Sequence, residues 1–263
     1  MGHGSVRAIA PPDRWTVRGI ELRVDRPVLL GVLNLTPDSF SDGGSYPDPA
    51  AAVDRALAMA AAGADLIDVG GESSRPGAEP VGAETEWRRA GPVVEALAAE
   101  GVLVSVDTTK SAVARRAIEA GAVAINDISG LVADAAVGEV AAETGAGLIL
   151  MHMRGTPRTM QDDVEYTDLP AEVREFLAGA VWRAERAGCK SGQLVVDPGI
   201  GFGKSVAGNL ELIADLDLLT ELGRPILVGP SRKAFIGQLL DAPTDERVEG
   251  TIGACVMALE RGA

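Results

Sequence analysis

The feature that most constrains the fold of this chain is a regular alternation of short apolar runs and longer amphipathic stretches. The runs are rich in Val, Ile and Leu, whereas the stretches between them place apolar residues three and four positions apart, which is the helical period. Strands that are apolar almost throughout and joined by helices are typical of a parallel sheet covered on both faces. The predicted strands lie at 27–35, 64–71, 102–108, 122–127, 146–153, 193–199 and 224–231. The predicted helices between them lie at 48–63, 83–101, 110–121, 134–145, 169–188 and 206–223.

Seven strands of this kind fit a (β/α)8 barrel, the TIM barrel, better than an open doubly wound sheet. The segment 15–24 predicts a small N-terminal β-hairpin that caps the bottom of the barrel. Two further helices are predicted at 233–241 and 245–263. No linker or low-complexity tract interrupts residues 1–263, so we expect a single α/β domain.

The predicted barrel lacks an eighth strand and a final helix before Ala263. Its first and seventh strands would then carry unpaired backbone groups along open edges, which favour aggregation or pairing with another molecule. We therefore expect the natural protein to continue by about 15–25 residues, enough for one strand and one short helix.

Composition narrows the functional class. The formal net charge of −14 argues against nucleic acid as a partner, since phosphates select Lys and Arg. No apolar run approaches the roughly eighteen residues of a membrane span, and the N-terminus lacks the apolar core of a secretory signal, so we expect a cytoplasmic protein without a membrane partner. The two cysteines, Cys189 and Cys255, lie far apart in no metal-like spacing, which fits a reducing compartment.

The stretch DPGIGFGKS, residues 197–205, resembles a phosphate-binding loop only superficially. The P-loop pattern needs a glycine five positions before Gly203, but that position holds Pro198, which has no N–H to donate. The dinucleotide pattern also fails, because the three glycines of the stretch are spaced by two. The glycines therefore serve another purpose than nucleotide capture.

Polar side chains gather at the predicted strand ends, where barrels of this class build their active sites. Helix capping could explain two or three of them, such as Asp127 and Ser231. His152 is either a buried core histidine or a site residue. The remainder predict an active site at this end of the barrel. The whole set of strand-end residues comprises the apolar Met151 and the polar residues Asn34, Asp68, Asp107, Asn126, Asp127, His152, Asp197, Ser231, Arg232 and Lys233.

Two long loops, 34–48 and 71–82, follow the first and second predicted strands. Loops of this length on this face are commonly lids or binding loops. Aromatic residues make up only 3% of the chain, yet Phe40, Phe202 and Phe235 lie in or beside strand-end segments. This placement predicts a small, flat aromatic substrate.

Seven segments resemble, in order and spacing, the signature segments of the dihydropteroate synthase family: NLTPDSFSDGG, DVGGESSRPGA, SVDT, INDISG, MHMRGTP, DPGIGFGK and GPSRK. The resemblance runs from about residue 27 to residue 261. It implies that p-aminobenzoate displaces pyrophosphate from 6-hydroxymethyl-7,8-dihydropterin pyrophosphate, with Mg2+ as cofactor. The implied partners are these small molecules, and we expect a homodimer.

The resemblance also implies roles for individual residues. Asp197 would accept hydrogen bonds from the pterin amine and ring N–H, and Asp107 would stabilise positive charge on the pterin methylene. The implied catalytic residues are Asp107, Lys233, Asp38 and Arg75. The implied pterin pocket is Asp107, Asn126, Met151, Asp197 and Lys233, and the implied metal residue is Asn34. The implied aminobenzoate site is Phe40, Ser74, Arg75, Pro76, Phe202 and Ser231.

Within that site, Gly201 and Gly203 are expected to let the backbone pass close to a planar ligand and to present Phe202. Lys204 would then be a secondary cation. A helix beginning near Ser231 would offer its N-terminus to the aminobenzoate carboxylate.

The chain departs from the family pattern in three places. It has Ser74 where threonine is commoner, Ala234 where many members carry serine, and no Arg-x-His pair on a last strand. Two alternatives stay open at this point. One is another pterin-binding barrel, similar to a methyltetrahydrofolate–corrinoid methyltransferase, and the other is a non-catalytic, truncated pterin-binding paralogue.

Overall fold

A computed structural model describes residues 12–36 and 48–263. The chain begins with an antiparallel hairpin of β1 (Arg14–Val17) and β2 (Ile20–Arg23). The two turn residues, Arg18 and Gly19, have φ of 48° and 80°, as the tight two-residue turns of hairpins require. The predicted N-terminal hairpin is confirmed.

Six parallel strands then pair in chain order in one sheet. They are β3 (Leu30–Asn34), β4 (Leu66–Gly70), β5 (Val104–Asp107), β6 (Ala124–Asp127), β7 (Gly147–Met151) and β8 (Leu194–Asp197). The α-helices are α1 (Pro49–Ala61), α2 (Ala83–Ala99), α3 (Ser111–Glu119), α4 (Ala136–Thr144), α5 (Leu169–Arg186), α6 (Val206–Ala214), α7 (Ala234–Leu240) and α8 (Val248–Glu260). This strand order, the parallel direction and the intervening helices are those of the (β/α)8 class. Within the described ranges no helix combines the length and apolar character that a membrane crossing needs.

The sheet buries apolar side chains on both faces, as the continuous apolar runs predicted. Residues such as Val69, Ile125 and Val196 pack against the helices in the larger cluster. Leu66, Ile149 and other residues of alternate register form a second cluster on the inner face. The two clusters explain why these strands show no simple apolar–polar alternation.

The hairpin covers the N-terminal end of the strands. Trp15 and Val17 are buried in the inner cluster, and the Trp15 indole N–H donates to the Gln193 carbonyl at 2.7 Å. A Cβ added at Gly147, the first residue of β7, would lie 2.6 Å from side-chain atoms of both Trp15 and Val17. The expected bottom cap is therefore present, and the polar site must lie at the opposite end.

The predicted strand at 224–231 is reduced to a single parallel bridge between Val196 and Ile226. The Leu227 N–H donates to the Val196 carbonyl at 2.9 Å, and the Pro225 carbonyl accepts from the Val196 N–H at 3.0 Å. Prolines at 225 and 230 supply no N–H groups and leave too little backbone for a regular ladder. The prediction of a seventh regular strand was therefore wrong, although the segment does pair with β8 through this bridge.

The predicted helix at 206–223 is divided in two. It ends as α6 at Ala214, and a 3-10 helix follows at Leu216–Leu222. In a 3-10 helix residues three apart share a face, so both Leu216 and Leu219 are buried in the core. The two C-terminal helices predicted at 233–241 and 245–263 are confirmed as α7 and α8.

Candidate active site

The strand register brings Asn34, Asp107 and Asn126 into one row. Asn34 pairs with Gly70, Gly70 with Asp107, and Asp107 with Asn126. Paired residues of parallel strands point to the same face. A Cβ added at Gly70 would lie 3.3 Å from Asp107 Oδ2 and 3.5 Å from Asn34 Oδ1, so the glycine leaves room for two oxygens to approach each other.

Asp107 lies among other acidic groups. Burial, followed by the Asp68, Glu86 and Asp127 carboxylates, raises the pKa of Asp107 well above its ordinary value. A carboxylate held under such conditions gains most when positive charge develops beside it.

Asp68 orients Asn126 from inside the barrel mouth. The Asn126 side-chain N–H2 donates to Asp68 Oδ2 at 2.9 Å, and the Ser105 hydroxyl donates to Asp68 Oδ1 at 2.5 Å. The Asn126 Oδ1 atom is buried and has no hydrogen-bond partner, so it is available to a ligand donor. Burial raises the pKa of Asp68 to about 6.

Asp197 and Lys233 form the second half of the polar floor. Asp197 is buried and its Oδ1 accepts from the Gly199 N–H at 2.7 Å. Burial raises the pKa of Asp197, while the Gly199 hydrogen bond and the Lys233 charge oppose the shift. Burial lowers the pKa of Lys233 to about 8, with Asp197 opposing, and its Nζ donates to the Ile200 carbonyl.

Phe202 provides an aromatic wall beside this floor. The Lys233 Nζ atom lies 4.1 Å from the Phe202 ring centroid, which is a cation–π contact. The ring also packs against a buried cluster that includes Met151 and Ile128. Met151 pairs with Asp197 in the sheet, so the cluster is continuous with the polar floor.

The glycines of 197–205 are required by the close packing of their backbone. Gly199, Gly201 and Gly203 have φ of 68°, 81° and 61°. A Cβ at these positions would lie 2.0 Å from the His152 carbonyl oxygen, 2.4 Å from Lys233 Cδ and 2.9 Å from the Met160 carbonyl oxygen, respectively. The interpretation that these glycines serve shape is thus confirmed for contacts within the protein.

The loop 71–82 carries Ser74, Arg75 and Pro76 above the same mouth. Ser74 lines a small cavity together with Asp107, whereas Arg75 and Pro76 are exposed. The loop is tied to the protein by backbone contacts, among them the Gly77 N–H to the Pro157 carbonyl at 3.0 Å. Ser74 is therefore beside the row of strand-end oxygens, and the other two lie at the solvent edge.

An ion-pair network that the sequence did not reveal anchors this loop. Lys110 Nζ donates to Glu72 and, at 2.6 Å, to the buried Glu86. Glu72 also accepts from the Val81 N–H at 3.1 Å, which closes the loop on itself. Burial alone would lower the pKa of Lys110, but the hydrogen bonds to the two glutamates raise it.

Two strand-end residues, Asp127 and His152, have local structural contacts, and a third, Ser231, lies at the surface. Both Asp127 oxygens accept backbone N–H groups of the following turn. The next helix, α4, begins only at Ala136 with Ala135 at its N-cap, so the expectation that Asp127 caps a helix was wrong.

His152 is buried and its Nδ1 lies 3.0 Å from Lys204 Nζ. Lys204 is thus an interior group whose charge acts on Asp197, and its role as a secondary cation stays a prediction. Ser231 is exposed, and α7 begins three residues later at Ala234 with Lys233 at its N-cap, so a helix does begin near Ser231. A contact of its N-terminus with the aminobenzoate carboxylate stays a prediction.

Two predicted site residues, Asp38 and Phe40, lie outside the described residues. Asp68, by contrast, belongs to the site although it had no assigned role. Its signal in the sequence was a lone carboxylate inside the apolar strand LIDVG. Burial of a carboxylate in a strand needs hydrogen-bonding partners, and these are Ser105 and Asn126.

Comparisons with known proteins agree with this geometry. Residues 30–263 match the family described as pterin binding enzyme. The chain is 46% identical over 247 residues to the dihydropteroate synthase of Escherichia coli strain K12, covering 94% of this chain and 87% of that protein. Dihydropteroate synthase of Xanthomonas albilineans with 4-aminobenzoic acid superposes with a TM-score of 0.88 at 45% identity, covering 95% of this chain and 90% of that one.

A second solved structure, the Yersinia pestis dihydropteroate synthase in complex with a sulfonamide drug, gives a TM-score of 0.89 at 45% identity, with 95% and 91% of the two chains covered. Identity at this level over nearly the whole of both chains goes well beyond a shared fold, which by itself would leave function open. The chain therefore belongs to the pterin-binding enzymes and, among them, to the dihydropteroate synthase family.

Proposed function

We propose that the strand-end site of this chain performs the dihydropteroate synthase reaction, joining 6-hydroxymethyl-7,8-dihydropterin pyrophosphate to p-aminobenzoate. The observation that carries the assignment is a buried carboxylate, Asp197, within reach of the Lys233 charge, together with an unpartnered buried amide oxygen, that of Asn126. A planar heterocycle rich in N–H groups is the ligand that such acceptors fit.

The pterin is proposed to lie across Asp197 and Asn126. Asp197 accepts from the pterin amine and ring N–H, and Lys233 donates to an acceptor on the ring. The Asp68 hydrogen bond fixes the Asn126 amide so that its free oxygen faces the ligand. Met151 and Phe202 supply apolar surface beside the ring.

The aminobenzoate is proposed to enter between Phe202 and the loop 71–82. Ser74 beside Asp107 places a hydroxyl near the reacting centre, and the exposed Arg75 and Pro76 cover the ring from the solvent side. The Xanthomonas relative with 4-aminobenzoic acid bound supports this assignment by similarity. Phe40 and Asp38 are assigned to the same region by family resemblance.

The chemistry is substitution at the pterin methylene. The bond from the methylene carbon to the pyrophosphate oxygen breaks, the amine nitrogen forms the new bond, and the amine gives up one proton. Asp107 lies where it stabilises positive charge as the leaving group departs. The raised pKa of Asp107 and its crowding by Asp68 and Glu86 mean that an added positive charge is strongly favoured there.

Mg2+ is the proposed cofactor, and the oxygens of Asn34 and Asp107 on either side of Gly70 fit it. Among the described residues no group of three or more His, Cys, Asp or Glu forms a complete metal cage. Mg2+ commonly uses one or two protein oxygens together with substrate phosphates, which matches the Asn34 and Asp107 oxygens. When bound, it would neutralise charge on the departing pyrophosphate.

We further propose a cytoplasmic homodimer. Helix α8 leaves large apolar side chains exposed, which favours burial against another subunit. They are Val248, Ile252, Val256, Met257 and Leu259. The mass of the protein in solution tests this proposal.

The reaction is tested by pyrophosphate release. We expect release that requires both substrates and that stops when EDTA is added and resumes with excess Mg2+. Release with the pterin substrate alone would point to hydrolysis, and release unaffected by EDTA would remove the metal from the scheme.

A further inference from the structure

Lys204 is a buried cation that the proposed chemistry does not use. Its side-chain Nζ lies 3.0 Å from His152 Nδ1, 3.0 Å from the Gly199 carbonyl oxygen and 2.8 Å from the Phe202 carbonyl oxygen. A lysine ammonium has three N–H donors, and these three acceptors match them in number. The His152 carbonyl oxygen is a fourth, longer neighbour at 3.4 Å.

The ionisation states of this pair suit the contact. Burial, with the charges of Lys204 and Arg154, lowers the pKa of His152 to about 3, so the imidazole is neutral. A protonated Lys204 has only donors, and beside it Nδ1 is the acceptor. Burial also lowers the pKa of Lys204 to about 7, while the Asp197 carboxylate opposes that shift. His152 Nδ1 and the carbonyl oxygens of Gly199 and Phe202 thus form an acceptor cage around Lys204 Nζ, and a side chain without N–H donors cannot satisfy it.

The cage belongs to the turn that presents Phe202. The Phe202 N–H donates to the Gly199 carbonyl at 3.0 Å, and the Tyr166 hydroxyl donates to the Gly203 carbonyl at 2.9 Å. Lys204 binds the inner side of the same turn and connects it to His152, directly after β7. One side chain thus ties together the ends of two neighbouring strands and the aromatic wall of the site.

We propose that Lys204 is a positioning residue that fixes the Phe202 turn, and with it the ring that closes the aminobenzoate side of the site. The expected kinetic effects of this proposal rest on the proposed function. Its expected effect on the order of the turn rests on the hydrogen-bond geometry alone. Lys204 does not touch the reacting atoms, and it acts through the carbonyl of Phe202 and the contact of that ring with Lys233.

A graded series of variants separates positioning from general destabilisation. Lys204→Gln keeps two N–H donors and Lys204→Met keeps none, while the exposed Lys190→Met removes a lysine from the surface. We expect the KM for aminobenzoate to rise on the order of tenfold in Lys204→Met and by less in Lys204→Gln, with the KM for the pterin substrate and kcat within about twofold of wild type. Lys190→Met is expected to match wild type.

Hydrogen exchange gives a readout independent of turnover. The amide of Phe202 is expected to exchange roughly tenfold faster or more in both Lys204 variants, with helices such as α3 unchanged. If Lys204→Met does not fold, Lys204→Gln carries both measurements. An unchanged aminobenzoate KM and unchanged exchange, or equal losses for both substrates together with a lower Tm, would overturn the proposal. A wild-type chain without turnover would instead contradict the proposed function, and the exchange result would still decide the role of Lys204.

Discussion

We expect recognition of the pterin to depend on Asp197. It is buried, its Oδ1 is held by the Gly199 N–H, and Lys233 lies beside it. In Asp197→Ala the pterin donors lose their acceptor inside a dry site, which costs on the order of 2–4 kcal/mol of binding free energy. We expect calorimetry to show a fall in pterin affinity of about 30- to 1,000-fold.

The exposed Lys190 provides the control for this measurement. Lys190→Ala is expected to leave pterin affinity unchanged, because the side chain lies on a surface turn before β8. Asp197→Ala with wild-type affinity and a wild-type fold would remove Asp197 from the pocket.

Asp68 makes a prediction about pH. Its folded-state pKa of about 6 lies above the ordinary value of 3.8, so between these pH values the native state holds a proton that the unfolded chain releases. The Asp68 contribution to the free energy of unfolding must therefore decrease as pH rises from about 4 to about 6. We expect the difference in the free energy of unfolding between wild type and Asp68→Asn to decrease with rising pH across this range. Denaturant titration at several pH values measures this difference.

Asp134 offers a control of opposite sign. Burial alone would raise its pKa, but the hydrogen bonds from Ser111 and Ala136 together outweigh burial and the net pKa is lowered. The stability that Asp134 contributes is present above its unfolded pKa and is lost as pH falls through its folded pKa. The difference in the free energy of unfolding between wild type and Asp134→Asn should therefore decrease as the pH is lowered. Equal slopes for the two variants would contradict the environment assigned to Asp68.

How far single residues could be predicted from the sequence depended on where their partners lie. Asp107, Asn126 and Asp197 could be placed in one site because the ends of neighbouring parallel strands meet at one face. The roles of Asp68 and Lys204 could not, because their partners lie 37 to 58 positions away and no local pattern announces such a contact.

The turn between β8 and α6 is the element whose backbone is most tightly determined. A Cβ at Gly199 would lie 2.0 Å from the His152 carbonyl oxygen, in addition to the strain of a φ of 68°. Gly145 has nearly the same φ, 70°, with no atom within 4 Å of a built Cβ. Gly145→Ala should cost about 1–2 kcal/mol of stability, and Gly199→Ala at least about 2 kcal/mol more.

Denaturant unfolding of the two alanine variants checks this difference. Similar losses at both positions would mean that the turn relaxes easily and does not hold Phe202 in a defined place. A much larger loss at Gly199 would show that the turn is rigid.

Strands and helices could be predicted from the sequence where an apolar pattern was not interrupted by other signals. The strands from β3 to β8 and the helices from α1 to α5 lie within the predicted segments, because each has a long apolar period and most end at a glycine. The strand prediction for the segment 224–231 was wrong because its two prolines prevent a regular ladder despite its apolar run. The prediction of one helix over 206–223 was wrong at Asp215, where no proline or glycine marks a break in the sequence. The chain continues there as a 3-10 helix because this geometry buries both Leu216 and Leu219.

The molecule as a whole is closed at one end by apolar packing and open at the other to ligands. Trp15 is 4% exposed and ties the hairpin to the start of the sheet, whereas Trp182 on α5 is 62% exposed. Trp15→Ala should cost about 3–5 kcal/mol of stability, and Trp182→Ala about 0.5 kcal/mol or less. Thermal unfolding checks both, and equal effects would mean that the hairpin is not part of the core.

The reaction of the strand-end site is defined by the bond that it forms. The decisive measurement is mass spectrometry of the product made from the pterin pyrophosphate and 15N-labelled p-aminobenzoate. We expect dihydropteroate that carries the label, formed in step with pyrophosphate release and lost in Lys233→Ala. Pyrophosphate release that yields only hydroxymethyl-dihydropterin, with no label incorporated, would contradict the assignment of the strand-end site to this reaction.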